Sequence, residues 1–108
     1  MPAAAKLSHT AAMVLQSIHD GFVYGFSIME RTGLPSGTVY PALRRLEGER
    51  LIASQWEPQA IAEAAQRPPR KCYKITRDGR VALEISQQRY PLLAQPAPST
   101  EPKSGVAI

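Results

Sequence analysis

The sequence is poor in the residues that build disulfides and metal sites, because it holds one cysteine and two histidines. The single cysteine, Cys72, cannot form an internal disulfide or a cysteine-rich zinc site, which fits a reducing compartment. His9 and His19 are ten positions apart, which places them on different sides of a helix. We therefore expect no metal ion at these histidines.

Long apolar runs are also absent. No run approaches the roughly 20 residues that cross a membrane, and residues 1–6 contain no hydrophobic signal core. The sequence has no glycine-rich phosphate loop, no paired carboxylates and no serine in an activating context. We therefore predict a cytoplasmic protein that has no membrane partner, no cofactor and no catalytic residues, and that is not an enzyme.

The chain does have enough apolar residues for one small core. Its 108 residues are 44% hydrophobic, which suits a single domain. The spacing of these residues predicts a first helix over residues 6–20 and a second over residues 24–32. Gly33 can end the second helix in a left-handed conformation. The second helix is predicted to bury three apolar side chains, those of Phe26, Ile28 and Met29.

A third helix, predicted to begin at a Ser36 N-cap, completes a helix-turn-helix with the second. One side of it forms an apolar seam of Val39, Leu43 and Leu46. The opposite side mixes small, aromatic and cationic groups that suit phosphates and base edges. These outward residues are Thr38, Tyr40, Pro41, Arg44 and Arg45. The alternative interpretation is an ordinary basic amphipathic helix on the surface.

After the third helix, the spacing of apolar residues changes from helical to alternating. Residues 52–57 and 71–75 alternate as strands do, with Tyr73 and Ile75 predicted to pack inward. Residues 58–69, which include an alanine-rich run, are predicted to form the tip of this long hairpin, or wing. A final helix follows the second strand. The predicted order is three helices, a hairpin and a helix.

Positive charge is concentrated at the end of the wing. Residues 67–80 carry a net charge of +5, because six cations face Asp78 alone. The six cations are Arg67, Arg70, Lys71, Lys74, Arg77 and Arg80. Placed beside the Arg44 side of the third helix, they predict a continuous surface that faces phosphates. The alternative is a solvated basic patch on the protein surface.

Three segments, in this order along the chain, resemble PadR-type winged-helix transcriptional regulators. They are residues 24–28 (YGFSI), 37–47 (GTVYPALRRLE) and 70–79 (RKCYKITRDG). The resemblance spans roughly residues 7–93. It implies a mainly α fold with a small β-hairpin, namely a winged helix-turn-helix of three helices, a two-stranded wing and a C-terminal dimerisation helix. It also implies a homodimeric repressor that binds a palindromic operator in double-stranded DNA.

The resemblance places the third helix in the major groove and the wing on phosphates or in the minor groove. With the basic wing included, the residues predicted to bind DNA are Ser36, Thr38, Tyr40, Arg44, Arg45, Arg67, Arg70 and Lys71. Arg45 lies two turns beyond Thr38 at the same angle, so it would reach a phosphate or only solvent.

The predicted division is a DNA-binding domain over residues 1–76, a dimerisation helix over residues 77–94 and a disordered tail over residues 95–108. The tail holds three prolines among small and polar residues. Pro91 is expected to kink or end the dimerisation helix. The apolar stripe predicted to meet a second copy consists of Val81, Ile85 and Leu92.

Two further residues allow a functional and a structural interpretation. Cys72 lies among basic residues that could make its thiol redox-responsive, or it is simply a small strand residue. Trp56 could stack on a small-molecule effector of unknown identity, or pack within the hairpin. The alternative to DNA binding as a whole is a winged-helix protein-interaction module without specific DNA binding.

Overall fold

Five helices and one two-stranded antiparallel sheet follow each other along residues 7–94, the part of the chain that this computed structural model describes. The elements are α1 (His9–His19), α2 (Gly25–Thr32), α3 (Ser36–Gly48), β1 (Ile52–Trp56), α4 (Gln59–Ala64), β2 (Lys71–Ile75) and α5 (Arg77–Arg89). The predicted mainly α fold with a small hairpin is confirmed. The predicted disordered tail, residues 95–108, lies outside the described residues.

Helix α1 lies at the centre of the core. Ser8 caps it, because Ser8 Oγ accepts a hydrogen bond from the Ala11 N–H at 3.1 Å. Its apolar side chains pack against α2, α3, α5 and β2. The chain leaves the helix through Asp20 and Gly21, and Gly21 adopts a φ of 101° that glycine tolerates without strain.

Helix α2 buries fewer apolar side chains than its sequence predicts. Ile28 is fully buried and Met29 is half-buried, but Phe26 is 63% exposed, so the predicted burial of Phe26 is wrong. Phe26 precedes Ile28 by two residues, which places it about 200° around the helix from the buried side. Gly33 ends the helix with a φ of 76°, as predicted.

The predicted seam of α3 is confirmed, since Val39, Leu43 and Leu46 are at most 1% exposed. The helix packs against α1 and α2. Full burial of a side chain of this size stabilises a fold by about 1.5–3 kcal/mol. The seam therefore fixes the rotation of α3, so its opposite side faces solvent.

The predicted cap of α3 is wrong by one residue. Pro35 is the N-cap residue and Ser36 is the first residue of the helix. The Pro35 carbonyl accepts the N–H groups of Thr38 and Val39 at 2.9 and 3.0 Å. Proline suits this position because its ring fixes φ near −65° and its missing N–H costs no hydrogen bond there.

The wing pairs β1 with β2 as the predicted antiparallel hairpin, and the structure sets the register, with Ile52 opposite Ile75 and Trp56 opposite Lys71. Tyr73 is 8% exposed and Ile75 is half-buried, so both pack inward as predicted. The sheet thereby contributes one face to the core and leaves the other to solvent.

The tip of the wing, residues 58–69, is more regular than predicted because it contains the short helix α4. Alanine has the highest intrinsic helix propensity, and this segment is rich in it. Ala62 is fully buried and Ile61 is 52% exposed. The tip is therefore a folded cap on the hairpin.

Helix α5 begins after Thr76, whose Oγ1 accepts the Gly79 N–H at 3.0 Å and donates to the Arg50 carbonyl at 2.8 Å. A Cβ at Gly79 would overlap the Leu51 carbonyl oxygen, so this close approach needs glycine. The helix ends just before Pro91, where an end or a kink was predicted.

Candidate nucleic-acid interface

The outer side of α3 offers polar, aromatic and cationic groups to solvent. Exposed along it are Ser36, Tyr40, Arg44 and Arg45, with Thr38 half-buried. Tyr40 and Arg44 lie one turn apart on the same side of the helix. Arg45 Nε lies 3.2 Å from Glu49 Oε2 in an exposed pair. Within residues 7–94, Arg44 forms no ion pair, so its guanidinium is available to a phosphate or a base edge.

Tyr40 is held by a residue that the sequence did not single out, Gly25 at the start of α2. A Cβ at Gly25 would lie 2.6 Å from Cε1 and Cζ of the Tyr40 ring, so the ring rests on the glycine backbone. Tyr40 remains 41% exposed. One face of its ring thus packs on α2, while its remaining surface is open. A glycine inside a helical pattern is the signal that could have indicated this close approach.

A hydrogen bond between side chains attaches the wing to α3. Ser54 Oγ donates a hydrogen bond to Glu47 Oε2 at 2.5 Å, which joins β1 to the last turns of α3. Burial raises the pKa of the Tyr73 hydroxyl, and the nearby Glu47 carboxylate raises it further. Tyr73 therefore stays neutral and serves the packing between β2 and α3.

The exposed part of the wing carries Lys71 and Trp56, which face each other across the two strands. Trp56 is 65% exposed, and Lys71 Nζ lies 5.9 Å from the centre of its ring. Trp56 is therefore mostly open to solvent, and both of its predicted roles stay predictions. Cys72 is half-buried and forms an antiparallel bridge with Tyr24, which precedes α2. Its redox response stays a prediction.

A buried carboxylate gathers the two wing arginines. The Glu57 side chain is 3% exposed, and its Oε1 and Oε2 accept hydrogen bonds from Arg67 Nη1 and Nη2 at 2.5 and 2.9 Å. The Arg70 N–H donates to Oε1 at 3.2 Å, and Arg70 Nη2 lies 3.6 Å from Oε2. The Arg70 guanidinium also lies 3.9 Å from the centre of the Tyr24 ring. We call Glu57, Arg67 and Arg70 the Glu57 cluster.

The electrostatics of the Glu57 cluster favour the charged pair. The hydrogen bond from Arg67 lowers the pKa of Glu57 to about 2, against the opposing effect of burial, and the Arg70 N–H contributes. The same hydrogen bond raises the pKa of Arg67. The phosphate contacts predicted for Arg67 and Arg70 stay predictions, but both side chains already have protein partners. The alternation of residues 52–57 gave no sign that Glu57 is buried.

The residues predicted for dimerisation are exposed. Val81 is 51%, Ile85 37% and Leu92 74% exposed, and the first two lie one turn apart on α5. The other side of α5 is buried through Ala82 and Leu83 and packs on α1. The apolar stripe is thus left without a cover within residues 7–94.

The described residues give no indication of a metal site or a membrane span. Residues 7–94 contain no group of three or more side chains that could hold a metal ion. In the same residues, every helix is too short or too polar to cross a bilayer.

Residues 14–85 match the transcriptional regulator PadR-like family. The chain belongs to this family. Its members regulate transcription and bind DNA, so this protein is a DNA-binding transcriptional regulator.

Solved structures agree with the PadR assignment. A PadR family regulator from hypervirulent Clostridium difficile R20291 is 25% identical, with a TM-score of 0.67 over 80% of this chain and 91% of that chain. A PadR-like transcription factor from Bacteroides fragilis is 26% identical, with a TM-score of 0.63 over 77% of this chain and 81% of that chain.

A third structure shares the fold alone. It is BpsR of Bordetella bronchiseptica, which is 22% identical, with a TM-score of 0.61 over 90% of this chain and 70% of that chain. The DNA binding of BpsR is described as regulated by 6-hydroxynicotinic acid. Among curated proteins, none matches this chain.

Proposed function

We propose that this PadR-family protein is a homodimeric repressor that reads an imperfect palindrome with α3 in the major groove. The observation that carries this proposal is the outer side of α3, where Arg44 forms no ion pair with any of residues 7–94 and the Tyr40 ring packs against Gly25. A bidentate contact from arginine to guanine discriminates against a wrong base by about 1–3 kcal/mol. Ser36 and Thr38 lie in the first turn of α3, nearest the groove floor in this arrangement.

The proposed role of the wing is to hold the DNA backbone. Lys71 is exposed beside Trp56 and forms no ion pair within residues 7–94, so it is available to a phosphate. Arg45 is exposed at 50% of its side chain and would add a phosphate contact at the edge of the groove. Contacts of this kind set orientation and affinity and carry no sequence information.

The proposed dimer forms through α5. Val81 and Ile85 are exposed on the side of α5 that faces away from α1, and Leu92 follows in the turn beyond the helix. A second copy related by a two-fold axis would cover these side chains and place two α3 helices on successive half-sites. Ile85→Asp would place a charge in this contact, and sedimentation should then detect monomers where the parent gives dimers.

Repression and its relief by a small molecule extend this proposal. An operator-bound dimer represses if its site overlaps a promoter, because the polymerase cannot occupy the same DNA. The regulation of BpsR by 6-hydroxynicotinic acid supports an effector in a related fold without indicating which compound acts on this chain. Trp56, at 65% exposure, would be the aromatic surface for such a compound.

The test of the groove assignment is selection of duplexes from a random library by the wild-type protein. The enriched duplex and a scrambled duplex of the same composition are then titrated with wild type, Arg44→Ala and Arg89→Ala. Arg89 is an exposed cation in the last turn of α5, one turn beyond Ile85, so Arg89→Ala controls for loss of charge once sedimentation shows that it dimerises like wild type. We expect Arg44→Ala alone to lose the preference for the enriched duplex. Equal preference in all three proteins would overturn the assignment.

A second candidate function is a protein-interaction module, and the exposed Phe26 favours it. A phenylalanine that is 63% exposed on α2 offers an apolar contact to a protein partner. DNA binding and this alternative differ in salt dependence, because each phosphate contact contributes a slope of about 0.9 in a plot of log affinity against log salt. Absence of any enriched duplex in the selection would support the alternative.

A further inference from the structure

The tip of the wing is closed at its base by the Glu57 cluster. Glu57 ends the first arm of the wing, and its N–H donates to the Arg70 carbonyl at 2.7 Å. Its carboxylate accepts hydrogen bonds from the Arg67 guanidinium and from the Arg70 N–H. The segment between Glu57 and Arg70, which includes α4, is therefore held at both ends by one side chain.

The burial of Glu57 makes this closure depend on all of its partners. A carboxylate at 3% exposure without its cations would be strongly destabilised, because little water can replace them. Arg67 supplies a two-bond fork that lysine cannot reproduce, since the ammonium group is a single point of charge. The closed tip and the intact cluster thus form together.

The cluster also connects the wing to the DNA-reading helix pair. The Arg70 guanidinium stacks over Tyr24, the N-cap residue of α2, and Tyr24 pairs with Cys72 of β2. The next residue, Gly25, packs against the ring of Tyr40, which belongs to α3. The base of the wing and the outer side of α3 therefore meet at the N-terminus of α2.

We propose that Glu57 is a positioning residue for DNA binding, and that Arg67 and Arg70 act through it to fix the wing rather than as primary phosphate contacts. The Glu57 cluster sets the angle of the wing against α2 and α3, so that Lys71 meets the DNA backbone while α3 is in the groove. This inference rests on the proposed contact between wing and DNA. Glu57, although negatively charged, would thus strengthen the binding of DNA, which is also negatively charged.

That reversal of sign gives a sharp experiment with a matched control. Glu57→Gln and Glu63→Gln remove the same charge from the same wing tip. The Glu63 side chain, however, is exposed, and among residues 7–94 it accepts a hydrogen bond only from Gln59 Nε2, at 3.2 Å. Charge alone predicts tighter DNA binding by both variants. We expect Glu63→Gln to bind the enriched duplex as tightly as wild type or more tightly, and Glu57→Gln to bind about tenfold more weakly, as it would if the wing were correctly placed about a tenth of the time.

A second variant keeps the charge. Arg67→Lys preserves a cation at the tip but loses the two-bond fork to Glu57. We expect it to weaken binding by a factor similar to that of Glu57→Gln, with an unchanged slope of log affinity against log salt. Lys71→Gln should instead lower that slope by about 0.9, because it removes a phosphate contact. A lower slope in Arg67→Gln, with Arg67→Lys like wild type, would assign Arg67 to phosphate and overturn the proposal.

Two measurements without DNA separate this inference from the proposed function. The Arg70 N–H, bonded to Glu57 Oε1, should exchange with solvent roughly tenfold faster in Glu57→Gln, while amides of the α3 seam keep their protection. The chain has one tryptophan, Trp56, next to Glu57, so its fluorescence anisotropy should fall in the same variant. If wild type selects no duplex but these signals change, the cluster fixes the wing and the proposed function fails. Unchanged exchange and anisotropy in Glu57→Gln would overturn the cluster's role.

Discussion

Helix α3 and the wing are both basic, but their cations are used differently. Arg44 on α3 forms no ion pair within residues 7–94, whereas Arg67 and Arg70 in the wing are bonded to the buried Glu57. The helix is oriented by an apolar seam and can leave its cation to a ligand. The hairpin has little core of its own and uses its cations to hold its shape. A count of charges therefore does not tell which of them a nucleic acid meets.

The largest effect is expected on the α3 side of this comparison. Arg44→Ala should reduce affinity for the enriched duplex by about 5- to 150-fold, because one good base contact is worth about 1–3 kcal/mol. Arg45→Ala, which removes a cation already paired with Glu49, should reduce it by much less. Titration at a single salt concentration decides the order. Equal losses in the two variants would break the distinction between a free and a paired arginine.

The next largest effect on DNA binding is expected from Gly25, which packs against the Tyr40 ring. Gly25→Ala should push the Tyr40 ring off α2 and weaken DNA binding several-fold, while thermal unfolding changes little, because the atoms displaced are the far end of a side chain. Gly48→Ala is the matched control, since nothing lies within 4 Å of a Cβ there. Alanine at that helical position should stabilise the protein by up to about 1 kcal/mol. A loss of binding in both variants would show that glycine content, not Tyr40, matters.

A smaller effect is expected from Lys71, a wing cation that forms no ion pair within residues 7–94. Lys71→Gln should weaken binding to the enriched and the scrambled duplex by the same factor, because it removes one phosphate contact from both complexes. Arg89→Gln removes an equal charge at the end of α5 and, with its dimeric state checked by sedimentation, should leave both affinities nearly unchanged. Parallel effects of the two substitutions would mean that only overall charge is sensed, and would remove the special position of the wing.

The smallest and most specific effect is a response of the wing to acid. The pKa of Glu57 is lowered to about 2 from an ordinary 4.5. In the protein without DNA, the Glu57 cluster therefore contributes its full stabilisation above pH 4.5, and this stabilisation is lost as the pH falls toward 2. Trp56 fluorescence should stay constant from neutral pH to about pH 4.5 and then change. Glu57→Gln should lack that change, with helix content followed by circular dichroism as the control. The same transition in both proteins would contradict the role of this carboxylate.

The sequence predicted α1, α2, α3 and α5, the two strands of the wing and the seam of α3, because the spacing of apolar residues reports directly on burial. Two predictions were wrong. The N-cap of α3 is Pro35 and not Ser36, because the position of the cap depends on which of these two residues turns the chain. Phe26 is exposed, because only part of the short helix α2 reaches the core. Helix α4 was missed because its alanine-rich run was taken as a hairpin tip, against its own helix propensity.

The site was predicted on α3 and only partly in the wing. Tyr40 and Arg44 follow from the angle opposite the seam, which is a local property of one helix. The contact of Gly25 with Tyr40 and the pairing of Glu57 with Arg67 join different elements, and no periodicity within one segment reports on them. Three-dimensional packing is needed to see that a glycine and a glutamate support the surface that the cations present.

The most direct test of the division between α3 and the wing is the preference for each base pair of the enriched duplex, measured for wild type, Arg44→Ala and Lys71→Gln. We expect Arg44→Ala to relax the preference at one base-pair position in each half-site. Lys71→Gln should leave every preference unchanged while lowering affinity throughout. An unchanged set of preferences in Arg44→Ala, together with an altered set in Lys71→Gln, would contradict the assignment of base reading to α3.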